Sequence, residues 1–262
     1  MDDSQYTYVK REIKNLLAVD LNAYKAQQMQ RRLRTFLLRS GQPDWPSFFG
    51  VMRHDKAQLE KLKDYLTINV SSFFRDTAKY EQLQQHVLPE LLKGRTTLRV
   101  WSAGCARGQE PYTLAMVLAE LTGPFRRHSI LASDLDGTAL DMARAGGPYT
   151  AEDVAAVPPH LLDRYFRTEK DGYRVTEPLR KKVTFRQHNM ITDAFETDLD
   201  LIICRNVVIY FTADVKEKLY KRFHDALRPG GVLFVGGTEI IPQAPDKGFG
   251  SMGFSFYCRK EA

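Results

Sequence analysis

Cysteine is scarce: Cys105, Cys204 and Cys258 are the only three in 262 residues. They form no CxxC pair and no cluster with histidine. That excludes the common zinc spacings, and no metal site is expected. Scattered thiols in apolar runs suit a reducing compartment, where cysteine packs as a small hydrophobe. No stretch approaches the ~20 consecutive apolar residues of a membrane span. The opening MDDSQYTYVKREIK has neither the apolar run nor the cleavage pattern of a signal peptide. A cytoplasmic protein without membrane insertion is expected. Two nucleotide signatures are missing as well. There is no GK[ST] closing a glycine loop, and no G-x-G-x-x-G fingerprint.

What is present is ordinary in bulk and uneven in detail. A hydrophobic fraction of 43% is enough for a real core. Of the net charge of +6, residues 1–66 hold +4, from 12 Lys/Arg against 8 Asp/Glu. The same residues read as helices. Val9, Ile13, Leu16 and Leu17 mark one apolar stripe, and Met29, Leu33, Phe36 and Leu37 another. Arg31 and Arg34 point away from the second stripe, while Arg32 and Arg39 flank it. SGQPDWP should end that helix, because Gly41 and Pro43 are breakers. Asp55 can cap a third, with Leu59, Leu62 and Leu66 inward.

From Leu98 the period changes. Strand-like runs stand at 98–102, 129–133, 183–187, 200–204, 232–236 and 254–258, with helical patterns at 111–121, 137–145 and 213–227. Strands alternating with helices predict a parallel sheet in an α/β fold. A Pro/Gly-rich loop without a helical pattern joins the last two runs, which predicts an antiparallel pair at the sheet edge. Residues 147–182 interrupt the alternation with two short helices and a hairpin around Lys170-Asp171-Gly172.

LRVWSAGCARGQEPYTLAMVLAEL, residues 98–121, is a strand, a glycine loop and a helix. Such loops usually approach phosphate. Here Glu110 stands at the helix start, where it repels a phosphate and attracts an ammonium. A second acid, Asp134, ends the next strand, where carboxylates accept hydrogen bonds from ribose hydroxyls. Either acid alone would also serve as a helix-start residue. Together they describe a ligand with a ribose, a cationic group and no phosphate, and S-adenosylmethionine meets all three conditions. Two more segments reach the same sheet edge. Asn189 follows a strand and suits the adenine rim. Asn206 ends the apolar run DLIIC-R and suits the methionine moiety; a turn-forming Asn is the plainer alternative. No proline follows Asn206, so the segment is not the motif of amino-methylating DNA enzymes.

TINVSSFFRD (67–76), WSAGCARGQEPYTLAM (101–116), ILASDLDGTALDMARAG (130–146) and CRNVVIYF (204–211) resemble the CheR family of chemotaxis methyltransferases, in order and over nearly the whole chain. The resemblance implies a Rossmann-like, S-adenosylmethionine-dependent sheet with an N-terminal all-α domain and a small inserted β-subdomain. Its domains would be 1–66 for receptor docking, 67–97 as linker and cofactor cover, and 98–262 for methyl transfer, with the insertion at about 147–182. The implied reaction methylates glutamate side chains of chemoreceptors to methyl esters. The implied cofactor residues are Asn69, Ser71, Arg75, Glu110, Asp134, Asn189, Met190, Asn206 and Val207, and the product is S-adenosylhomocysteine. Arg75 would position a carboxylate, and Tyr210 would donate to the receptor carboxylate or simply pack beside Phe211. Phe73 and Phe74 would cover the cofactor. Ser71 replaces a frequent Thr and keeps the hydroxyl; Gln109 replaces a frequent Glu and loses a charge.

The implied partners are acidic chemoreceptor helical bundles, met by Arg31, Arg34 and Arg39. A monomer that binds no nucleic acid is expected. Some family members also bind a receptor tail through a longer hairpin, and the short RTEKDG turn here argues against it. Two rivals are carried. A nucleic-acid methyltransferase would suit the sequence pI of about 9.1, but no basic tract interleaved with aromatics supports it. A non-catalytic adaptor that senses S-adenosylmethionine would not need both Arg75 and Tyr210.

Overall fold

The computed structural model describes residues 1–67 and 69–260. It divides into two units, one of residues 1–69 with 209–216, the other of residues 70–208 with 217–262.

The first unit is helical. Helix α1 (Asp3–Leu17) starts where the Asp2 carboxylate accepts the Gln5 N–H. It buries Val9 and Ile13 and leaves Leu16 and Leu17 half-buried. Helix α2 (Ala26–Ser40) buries Met29 and Leu33 and stops at Gly41, which takes the left-handed φ of 71° that a side chain resists. The SGQPDWP stretch ends α2, as expected, and also opens an unforeseen helix, α3 (Trp45–His54). Asp44 caps it by accepting the Ser47 N–H, and Pro46 sits in its first turn, where a missing N–H costs nothing. Trp45, Phe48 and Phe49 pack as an aromatic cluster. Asp55 caps α4 (Lys56–Thr67) through the Gln58 N–H at 3.1 Å. Tyr210 and Thr212 join this unit by backbone bonds with Lys25 and Ala23.

The second unit opens with short helices α5 (Thr77–Gln82) and α6 (Leu88–Leu92). Strand β1 (Arg99–Ala103), helix α7 (Gln109–Thr122), β2 (Ser129–Asp134) and α8 (Gly137–Ala145) follow. The insertion holds α9 (Ala151–Val154), α10 (Pro159–Tyr165), the antiparallel hairpin β3 (Phe166–Glu169) and β4 (Gly172–Val175), and α11 (Glu177–Arg180). Then come β5 (Val183–Gln187), β6 (Leu199–Cys204), α12 (Ala213–Ala226), β7 (Leu227–Val235), β8 (Phe249–Ser251) and β9 (Phe256–Arg259).

Among the described residues, seven strands form one sheet in the order β5-β2-β1-β6-β7-β9-β8. The first five are parallel. This is the parallel α/β sheet that the alternation predicts, and the Rossmann-like arrangement that the resemblance implies. The last two runs do pair antiparallel, as β7 with β9, but they are not the edge. Their connecting loop contributes β8, three residues too short to show a period, and β8 takes the edge. Strand order reverses between β1 and β6, so the loops after these strands diverge and leave a crevice at their carboxyl ends.

Candidate functional site

The crevice is built by the loops that follow the parallel strands of the second unit. After β1, the Gly104 and Cys105 N–H groups both donate to the Ser133 carbonyl, at 2.8 and 3.0 Å, tying the glycine loop to the end of β2. Gly104 has φ 81°, and a Cβ there would lie 2.6 Å from Val207 Cγ2. Val207 thus packs across the switch point against bare backbone. Gly108 has φ 91°, and its Cβ would stand 2.9 Å from that of Ala143, so this glycine lets α7 begin hard against α8.

Glu110 lies in the first turn of α7. It accepts the Ser102 hydroxyl at 2.8 Å, and its other oxygen is 4.0 Å from the Arg205 guanidinium. Burial raises its pKa above the usual carboxylate value; Arg205 and the Ser102 bond oppose that, and the neighbouring Glu239 adds to it. Asp134 closes β2. It accepts the Ala106 N–H at 2.8 Å and the Asp136 N–H at 2.9 Å. Burial raises its pKa too, against those two bonds.

Arg205 follows β6 with a side chain only 2% exposed. It pairs with Asp76 and lies over Phe234 at 4.8 Å and Tyr80 at 5.5 Å. Asn206 comes next, at the left-handed φ of 58°. Its N–H donates to Glu239 at 3.0 Å, and the Gly236 N–H donates to the same oxygen at 2.5 Å. Glu239 therefore clamps the chain leaving β6 to the chain leaving β7. Two buried acceptors here, Asn206 Oδ1 and Glu239 Oε1, have no hydrogen-bond partner among the described residues. Buried acceptors without donors are costly; Arg205 Nε is likewise buried without a partner, and the crevice holds more carboxylates than guanidinium groups.

The other sequence-predicted residues fall in different places. In the second unit, Ser71 offers its carbonyl to Gln109 at 3.5 Å, and the half-buried Arg75 donates to the Val70 carbonyl at 3.2 Å. Gln109 itself bonds Asp153 at 3.1 Å. The Asn189 side-chain oxygen accepts the Ile191 N–H at 3.0 Å and its N–H donates to Asp193, so part of the residue is spent on its own turn. The Met190 carbonyl accepts from Arg222. Phe73 is fully buried against Tyr149 and Phe166, and Phe74 packs on Tyr80; both belong to the core of this unit. Asn69, which donates to Thr67 at 3.3 Å, and the half-buried Tyr210 belong to the first unit.

Sequence reasoning missed Asp76, Arg205 and Glu239. Glu239 had a signal: like Asp134, it is an acid just past the end of an apolar strand, behind a Gly-Gly pair. Arg205 was visible as a lone charge ending DLIIC, but nothing local says that its partner stands 129 positions upstream.

The donor set fits S-adenosylmethionine. Its ammonium is a donor for the two unpartnered oxygens, and its charge suits a cluster where Glu110, Asp134 and Glu239 outnumber the buried Arg205. The comparisons agree. The family model "CheR methyltransferase, SAM binding domain" matches residues 69–256, and "CheR methyltransferase, all-alpha domain" matches residues 4–67. A chemotaxis protein methyltransferase of Listeria monocytogenes is 39% identical over 258 residues, covering 98% of each chain. Chemotaxis protein methyltransferase 1 of Pseudomonas aeruginosa is 40% identical over 197 residues, covering 71% of this chain and 72% of its own. A solved structure, the TehB-like SAM-dependent methyltransferase of Corynebacterium glutamicum, aligns at 17% identity and TM-score 0.38, over 70% of this chain and 92% of its own. With both domain models matched in order, and full-length relatives above 30% identity, the chain belongs to the CheR methyltransferase family.

Proposed function

We propose that this protein methylates glutamate side chains of chemoreceptors, using S-adenosylmethionine and forming glutamyl methyl esters. The observation that carries the reading is the crevice at the β1/β6 switch point, where the carboxylates of Glu110 and Glu239 and the unpartnered oxygen of Asn206 call for a cationic, hydrogen-bond-donating ligand. The relatives' names as chemotaxis protein methyltransferases supply the acceptor class.

Asp134 receives the ribose hydroxyls on the lone pairs its two backbone bonds leave free. Glu110 and Asn206 receive the amino-acid end. Asn189 and Met190 border the adenine, and Val207 walls the crevice. Ser71 borders the same crevice, and Arg75 holds a carboxylate in register. When bound, S-adenosylmethionine presents a methyl group on a sulfonium to an in-line oxygen nucleophile. A glutamate carboxylate is already ionised at neutral pH, with an ordinary pKa of about 4.3, so no residue of this chain need take a proton. The chain's work is alignment and exclusion of water. Arg75 must not grip the attacking oxygen strongly, since that would blunt it. Arg31, Arg34 and Arg39 are exposed on α2 and steer an acidic helical surface.

Incubation with methyl-labelled cofactor and receptor cytoplasmic fragments tests the reading. The expected product releases volatile methanol in base, as an ester does. Stable label on nucleic acid, or no transfer at all, contradicts it.

A further inference from the structure

Deepening that reading, we infer that the loop carrying Phe254, together with Lys79 and Arg75, forms a lip that seats the acceptor glutamate's own helix, an acidic amphipathic segment of the receptor. Three large apolar side chains of the second unit are strongly exposed on segments beside the crevice: Val70 at 75%, Ile240 at 71% and Phe254 at 83%. Singly, exposed apolar residues mean little; gathered at one edge, they mark a contact surface. Contacts between their segments gather them. Arg75 donates to the Val70 carbonyl at 3.2 Å, and Lys79 donates to the Phe254 carbonyl at 3.0 Å. The Asp76 carboxylate comes within 3.8 Å of the Cβ position at Gly237, three residues before Ile240.

Phe254 is displayed by design of the backbone. The residues on either side, Gly253 at φ 106° and Ser255 at φ 80°, are both left-handed. A serine rarely adopts that conformation, and it persists only where the surroundings enforce it. Here the Ser255 carbonyl accepts the Val235 N–H at 2.9 Å and its hydroxyl donates to the Gly236 carbonyl at 3.4 Å. The strained turn is thereby anchored to the end of β7, one step from the Glu239 clamp. The Lys79 ammonium also lies 5.8 Å from the Phe254 ring. The ring is held outward next to the crevice, as an aromatic anchor for a partner is.

Charge selects the partner. The bonded neighbours of Lys79 are the Gln82 amide oxygen and the Phe254 carbonyl, and that of Arg75 is a carbonyl. Neither makes an ion pair in these contacts, although the charge of Arg75 is also felt at Glu110, so Lys79 is the freer of the two. Apolar side chains beside two such cations complement a helix with one apolar face and flanking acids, which is also the chemistry of a segment that offers a glutamate for methylation.

The test measures receptor methylation by base-released methanol in wild type, Phe254→Ala, Phe254→Leu and Lys79→Glu, with S-adenosylhomocysteine binding followed by calorimetry. We expect Phe254→Ala and Lys79→Glu each to raise KM for the receptor fragment about tenfold with kcat unchanged, and Phe254→Leu to restore most of it. S-adenosylhomocysteine affinity and the melting midpoint should match wild type in all three. An unchanged receptor KM in Phe254→Ala, or a nucleoside affinity that falls in step with it, overturns the lip. A wild-type protein that binds the nucleoside yet forms no ester overturns the underlying reading, and this inference with it.

Discussion

At the scale of single residues, the crevice couples ligand binding to protons. Burial holds the pKa values of Glu110 and Asp134 above the ordinary range. A raised carboxylate pKa favours the folded chain below the unfolded value, and that advantage is lost as pH rises through the folded value. A cationic ligand reverses the preference, because it binds the ionised acids. Affinity for S-adenosylmethionine should therefore be full at neutral pH and fall as acidification reaches the raised values. Calorimetry from pH 7.5 downward checks this, and Glu110→Gln should flatten the profile while weakening binding roughly 10- to 100-fold. Glu239 acts differently. In Glu239→Ala two backbone N–H groups lose their acceptor, so stability should drop by about 1–3 kcal/mol in urea unfolding, and affinity should drop with it as Asn206 loses its left-handed turn. Gly104→Ala places a Cβ against Val207 at a φ of 81°. A cost of about 1–3 kcal/mol follows, again with weaker binding.

At the scale of elements, much was legible. The runs at 129–133 and 183–187 became β2 and β5 almost residue for residue: Ile130, Leu131 and Ala132 make a short apolar run, and on the edge strand Val183 and Phe185 alternate with polar residues. The hairpin at Lys170-Asp171-Gly172 was legible from its turn chemistry. Helix α3 was not, since Pro43 and Pro46 look like breakers, while Pro46 in fact sits where helices tolerate it. Strand β8 has three residues and no alternation to read. At the crevice, Glu110 was legible as an acid at a helix start behind a glycine loop, and Asp134 as an acid ending an apolar strand; both signals are local. Asp76 and Arg205 pair across 129 positions, which no window can show, whereas Glu239 had a local signal that went unread. Helix α2 carries its own prediction. Arg31 and Arg34 are exposed beside Leu38, itself 81% exposed. Charge reversal at both should slow receptor methylation about tenfold at low salt, with the gap closing as salt is added and nucleoside binding unchanged.

At the scale of the whole molecule, stability and chemistry occupy opposite ends of the sheet. Asp200, near the start of β6, is buried. It accepts the Arg99 N–H at 2.7 Å, bonds Arg228 at 2.5 Å and lies 3.5 Å from Arg95. Asp200→Ala should cost about 3 kcal/mol in chemical unfolding, near the low end for a buried pair because Arg95 reaches solvent. At temperatures where that variant stays folded, its nucleoside affinity should equal wild type. Glu110, at the other end, should show the reverse pattern. The most direct measurement is calorimetric titration of the intact protein with S-adenosylmethionine, beside Asp134→Asn and Glu110→Gln. The account predicts saturable heat at one site per chain in wild type and at least about tenfold weaker binding in each variant, with the melting midpoint preserved in Glu110→Gln and lowered in Asp134→Asn, whose amide nitrogen faces one of the two backbone donors. No heat in folded wild type, or equal affinity in all three proteins, would contradict it.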